Sequence, residues 1–84
     1  MTRTAVFLIR TSDRKGLVAE ITGFFASRDL NIMECRQYTD ILENRYYMRI
    51  AVELPMGLTR SELESSFAEI AAKLNLEYSV HYSG

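Results

Sequence analysis

The sequence predicts an α+β fold of the ferredoxin-like kind, βαββαβ in order, in which a four-stranded antiparallel sheet carries two helices on one face. Three observations carry the prediction. Two stretches, Leu17 to Phe25 and Leu63 to Leu74, repeat their apolar residues at the spacing of an amphipathic helix. Four stretches rich in β-branched and aromatic residues read as strands. Each helix stands between two strands, and right-handed crossovers then place the first and third strands at the centre of the sheet.

The elements follow in order. From about Arg3 to Thr11 the chain is apolar on both parities through Ala5-Val6-Phe7-Leu8-Ile9, which predicts a central strand buried on both faces and bounded by the turn-prone Ser12-Asp13. From Lys15 the period changes. Leu17, Ile21, Phe24 and Phe25 stand at i, i+4, i+7 and i+8, leaving Glu20 and Arg28 to face water, with Asp13 as the expected N-cap. The helix should stop near Asp29, because Asp tolerates the left-handed conformation, and Asn31-Ile32-Met33 then opens a second strand that runs to about Asp40.

Ile41-Leu42-Glu43-Asn44 reads as a hairpin loop, with Asn44 taking positive φ, and Tyr46 to Leu54 follows as a strand whose apolar face is Met48, Ile50, Val52 and Leu54. Thr59-Arg60-Ser61-Glu62 has the spacing of a capping box and starts a second helix, with the core stripe Leu63, Phe67, Ile70, Ala71 and Leu74. It ends near Asn75, and Glu77 to Tyr82 alternates as the last strand.

Composition limits what such a domain can do. The 84 residues are 48% hydrophobic and 25% charged, the balance of one globular domain, and no internal linker or repeat divides them. A formal net charge of −1 supplies no basic field for nucleic acid or for a membrane surface. One cysteine, Cys35, and one histidine, His81, cannot form an intramolecular disulfide or a structural zinc site, so neither metal nor cofactor is expected. The longest apolar run is too short for a membrane span or a secretory signal, and the expected location is cytoplasmic. A chain of this size buries only about 60% of its unfolded surface. Its sheet has an uncovered face and two open edges, so a homodimer through a sheet or helix edge is expected.

The stretch richest in chemistry is Thr11-Ser12-Asp13-Arg14-Lys15-Gly16-Leu17-Val18. Without a Cβ at Gly16 a ligand can approach the first helical turn closely, and free amides there favour a carboxylate. Asp13 can accept from an ammonium, so together they suit a free amino acid; an Asp cap with a glycine easing a tight turn explains the same spacing. No nucleophile-base pair or paired-carboxylate arrangement is visible, so no catalytic residue is assigned.

Asp13 to Val18 followed by Leu30-Asn31-Ile32 resembles the ACT-domain family of small-molecule-sensing regulatory modules. Phe25-Ala26-Ser27, Gln37 with Thr39-Asp40, and Tyr46-Tyr47-Met48-Arg49 narrow the resemblance to the amino-terminal domain of the formyltetrahydrofolate deformylase family, and the likeness runs from about Val6 to Leu76. That family hydrolyses 10-formyltetrahydrofolate to formate and tetrahydrofolate for purine synthesis, using a carboxy-terminal formyltransferase-like domain. The resemblance therefore implies that residues 1–84 are a non-catalytic ACT-like regulatory domain from which the catalytic domain is absent. It places an amino-acid effector at Asp13, Arg14, Lys15, Gly16, Leu17, Val18 and Asn31, at the interface between two copies. Thr11 stands where some amino-acid-binding members have histidine, and Lys15 replaces a common proline, so the ligand is left unassigned.

The remaining polar residues read structurally. His81 is expected half-exposed on an edge strand, and Cys35, alternating with Met33 and Gln37, is expected as a small buried hydrophobe. Arg49 is expected on the uncovered sheet face, paired with Glu53, Glu34 or an acid from a partner. Tyr38, Tyr46, Tyr47, Tyr78 and Tyr82 suggest a tyrosine-rich sheet face, either a protein interface or a base-stacking platform. Two alternatives stand beside the regulatory reading. One is a free-standing ACT regulatory protein of the glycine-responsive type. The other is an RRM-like RNA-binding module, against which count the net charge and a third strand without the Lys/Arg-Gly-aromatic pattern.

Overall fold

Local sequence places the elements where the periodicities put them. The computed structural model of the chain describes residues 3–12 and 16–83. It contains β1 (Arg3–Ser12), α1 (Leu17–Ser27), β2 (Asn31–Asp40), β3 (Arg45–Leu54), α2 (Arg60–Leu74) and β4 (Glu77–Ser83). The strands pair antiparallel in the order β2-β3-β1-β4, with the first and third strands central as expected. Short polar signals set the boundaries. Asp29, Asn44 and Asn75 take φ of 59°, 55° and 57°, ending α1, turning the β2–β3 hairpin and ending α2. At the start of α2 both halves of the capping box form: Thr59 Oγ1 accepts from the Glu62 amide at 3.1 Å, and the Thr59 amide donates to Glu62 Oε2 at 3.3 Å.

The core lies between one sheet face and both helices. Phe7 stands opposite Ile50 on one side and Val80 on the other, so β1 and β3 present a continuous apolar floor. Above it the ring of Phe67 in α2 sits 4.7 Å from Phe7, 5.3 Å from Phe24 and 4.8 Å from Tyr78, centroid to centroid, joining both helices to the sheet in one aromatic cluster. Ile70 of the predicted stripe is half-buried at its margin, whereas Leu63, Phe67, Ala71 and Leu74 are buried.

Three expectations are corrected. β1 is buried on its helix-facing side only: Leu8 is 38% exposed and Arg10 is open to solvent, because the far side of the sheet carries no second layer. β2 contains an irregularity between Ile32 and Glu34, an extra residue that puts Ile32 opposite Val52 and Glu34 opposite Ala51. Cys35 consequently falls on the helix side, opposite Ile50, yet it is exposed; β2 is an edge strand and the helices cover the central strands. The tyrosines do not share a face either. Tyr46, Tyr78 and Tyr82 pack toward the helices, and Tyr38 and Tyr47 stand on the open side.

Candidate functional site

The turn that carries β1 into α1 is built around a left-handed glycine. Gly16 has φ 78° and ψ −1°, occupies the N-cap position of α1, and has no side-chain capping hydrogen bond. The cap expected from sequence was Asp13; the N-cap is Gly16, since a residue without Cβ enters the left-handed region freely. Asp13, Arg14 and Lys15 lie outside the described residues. The first intrahelical bond runs from the Glu20 amide to the Gly16 carbonyl at 3.0 Å, so the amides of Leu17, Val18 and Ala19 come before the helical ladder begins. Leu17 is buried at 2% exposure and anchors the turn to the core, Val18 is half-buried against it, and Gly16 is exposed. A Cβ built at Gly16 meets nothing within 4 Å among the described residues. Among those residues it is the dihedral rather than crowding that calls for glycine.

Asn31 is not brought to this turn within one chain. It begins β2 opposite Glu53, whose Oε1 accepts from Asn31 Nδ2 at 3.4 Å, while Gly16 follows the other end of β1. The eleven residues of α1 separate the two, a length of about 16 Å at the usual helical rise. Thr11, just before the turn, is buried at 7% exposure, and its hydroxyl donates to the Asn75 carbonyl at 3.4 Å, fastening the end of β1 to the end of α2.

The open sheet face forms a concave region of its own. A cavity of about 630 Å³ is lined by Leu8 and Arg10 of β1, Arg36 and Tyr38 of β2, Tyr47 and Arg49 of β3, and Ser79 of β4, among others. Arg49 meets Glu34, as the sequence anticipated among its candidate partners, and Arg36 reaches the same carboxylate at 3.2 Å. Arg10 pairs with Glu77 at 3.2 Å, which also lies 3.9 Å from Arg45. The Tyr38 and Tyr47 rings stand 5.9 Å apart at 35°. Sequence reasoning found Arg49 but missed Arg10 and Arg36. The signal was available in the polar positions of β1 and β2, but it needed the strand pairing and the β2 irregularity to converge.

Elsewhere the chemistry is sparse. No group of three or more His, Cys, Asp or Glu side chains that could hold a metal occurs among the described residues. His81 is exposed on β4, with its Nε2 3.4 Å from the Ser79 hydroxyl. Tyr82 donates to the Glu64 carboxylate; its burial first, and then that hydrogen bond, push its hydroxyl up to about 12. No helix is long and apolar enough to cross a membrane among the described residues.

No protein-family model matches the chain. It is 31% identical over 81 residues to the formyltetrahydrofolate deformylase of Synechocystis sp., a match covering 95% of this chain and 28% of that protein. The formyltetrahydrofolate deformylase of Corynebacterium sp. is 28% identical over 81 residues, covering 94% of this chain and again 28% of the relative. The chain thus spans under a third of the length of these curated relatives. Among solved structures, a formyltetrahydrofolate deformylase from Pseudomonas syringae pv. tomato superposes with a TM-score of 0.89 at 24% identity, covering 98% of this chain and 28% of that one. A structure described as a glycine cleavage system transcriptional repressor gives the same TM-score, 0.89, at 21% identity, covering 98% of this chain and 47% of that one. An ACT domain protein from Streptococcus pneumoniae gives 0.83 at 22% identity, over 98% of this chain and 91% of that one. At these identities the structural likenesses establish the shared fold. The chain shares the fold of these structures, the ACT domain protein among them, and is similar in sequence to a segment of formyltetrahydrofolate deformylases.

Proposed function

We propose that this ACT-like domain is the non-catalytic regulatory part of a cytoplasmic enzyme of the deformylase type, which hydrolyses 10-formyltetrahydrofolate to formate and tetrahydrofolate in support of purine synthesis. The domain binds a free amino acid and passes the state of that site to a catalytic domain. The observation that supports this most is the glycine-capped first turn of α1. Gly16 leaves the turn without a capping side chain and, among the described residues, with open space above it, so the amides of Leu17 and Val18 suit a carboxylate. Asp13 supplies the acceptor for the ammonium, with Arg14 and Lys15 next to it in sequence. Asn31 belongs to the site from a second copy, because within its own chain it stands at the opposite end of α1. A homodimer is therefore part of the reading, and pairing at an exposed edge strand gives it a route.

Titration calorimetry with glycine, methionine and the other amino acids tests the site, on the wild type and on Gly16→Asn. Asn tolerates the left-handed conformation, so this variant keeps the turn while placing a side chain in the open space. Binding by the wild type and its loss in Gly16→Asn supports the reading. Absence of binding at millimolar concentration, or equal binding by both, overturns it. A wholly monomeric sedimentation profile at high concentration overturns the two-copy site.

A second reading rests on the fold matches to the Streptococcus pneumoniae ACT domain protein and to the glycine cleavage repressor structure. In it the chain is a free-standing regulator of the glycine-responsive type. The coding sequence after Gly84 discriminates the two: a formyltransferase-like continuation supports the deformylase reading.

A further inference from the structure

The uncovered face of the sheet carries a cluster that amino-acid sensing does not use. Its cavity of about 630 Å³ is of the size that takes small molecules, typically about 300–1,000 Å³. Three features of its lining point to one ligand chemistry.

The first is charge. Among the described residues the lining contains three guanidinium groups, Arg10, Arg36 and Arg49, and no acid. Their carboxylate partners, Glu34 and Glu77, stand outside the lining, Glu34 shared by Arg36 and Arg49 and Glu77 shared by Arg10 and Arg45. Four guanidinium groups, Arg10, Arg36, Arg45 and Arg49, share these two carboxylates, which leaves a local positive excess in a chain whose formal net charge is −1. Each guanidinium has five N–H donors in a planar fork, more than a shared carboxylate can accept, so donors remain for a ligand oxygen.

The second is the ring pair. Tyr38 is 63% exposed, beside Tyr47 with centroids 5.9 Å apart, in a protein that buries its other large aromatic rings or packs them against the core. A flat ring can stack there with guanidinium planes at its edge. The third is compactness. Away from the guanidinium cluster, this face carries Asp40 and Glu53, which interrupt any track for a polyanion. A second copy laid face to face would set one guanidinium cluster against another.

We infer that the open sheet face is a binding site for a small planar aromatic anion, a heteroaromatic ring bearing a carboxylate or phosphate. Arg36 and Arg49 hold the anionic group, Tyr38 and Tyr47 stack the ring, and Leu8 forms the apolar floor. The site lies across the sheet from α1, so it is separate from the amino-acid site and does not rest on it. Two kinds of molecule share this chemistry, folates and mononucleotides.

The test is calorimetry on the 84-residue chain with 5-formyltetrahydrofolate and guanosine 5′-monophosphate, together with citrate, guanosine and a single-stranded deoxythymidine decamer as controls. At least one ring-bearing anion is expected to bind with a submillimolar Kd that weakens with added salt. The preferred one identifies the source. Arg36→Ala and Tyr38→Ala, both at exposed positions, are each expected to weaken that binding at least tenfold while circular dichroism stays unchanged. Gly16→Asn is expected to leave it unaltered. The inference is overturned if neither ring anion binds at millimolar concentration, if citrate or guanosine binds as tightly, or if the two face variants bind like wild type. Tighter binding of the decamer than of the mononucleotide also overturns it, since that would make the face a nucleic-acid surface.

Discussion

Replacing Gly16 separates two explanations for a glycine at the start of α1. If close approach inside the chain were the reason, any side chain would clash. Yet a Cβ at Gly16 meets nothing within 4 Å among the described residues, and φ is 78°. The cost of Gly16→Ala is thus conformational: about 1–2 kcal/mol for an L-residue held left-handed, offset by about 0.4–1 kcal/mol from the lower entropy of the unfolded chain. The net loss is about 1 kcal/mol, which in a domain this small lowers Tm by about 4–8 °C. Gly16→Asn should lose well under half of that, because Asn enters the left-handed region with little strain. Urea titrations followed by circular dichroism, with Tm by thermal scan, measure both variants. An alanine variant as stable as wild type would refute the left-handed cap as the reason for the glycine. An asparagine variant as unstable as the alanine variant would refute the conformational account in favour of sterics.

Three further outcomes follow from the structure. Thr59→Ala removes the side-chain half of the capping box that starts α2 and should cost about 1 kcal/mol in a urea titration; no loss would mean the box is not formed in solution. Phe67→Ala empties the centre of the aromatic cluster and should cost about 3–5 kcal/mol, a large share of the total stability of a small domain; since that variant risks not folding, Phe67→Leu is expected to keep the fold with a smaller loss, and a loss under about 1 kcal/mol in both would contradict the packing. The Tyr82 hydroxyl is pushed up to about 12 by burial and by its bond to Glu64, which favours the protonated form in the folded state; its contribution is intact below about pH 10 and lost as pH climbs through that window, so wild type should lose stability between these values more steeply than Tyr82→Phe.

What the sequence by itself determined is what short stretches of chain determine physically. The two helical stripes, the hairpin, the Thr59–Glu62 box and the left-handed Asp29 and Asn44 depend on periodicity and on side chains bonding their own backbone within a few residues. The strand order followed as well, because crossover handedness leaves few alternatives. The tertiary structure decided everything that depends on which element covers which. β1 reads as apolar on both parities, but only the side under the helices is buried, so Leu8 and Arg10 face outward. The extra residue near Met33 sets which side chains of β2 look which way, which placed Arg36 and Tyr38 beside Tyr47 and Arg49 and left Cys35 exposed beyond the helices. Gly16 and Asn31, fifteen positions apart in sequence, fell at opposite ends of a rigid helix, a separation that any site using both must cross with a second copy. Such facts are sums over long-range pairings, and a one-residue change of register inverts every side chain of a strand, so no local pattern in the chain encodes them.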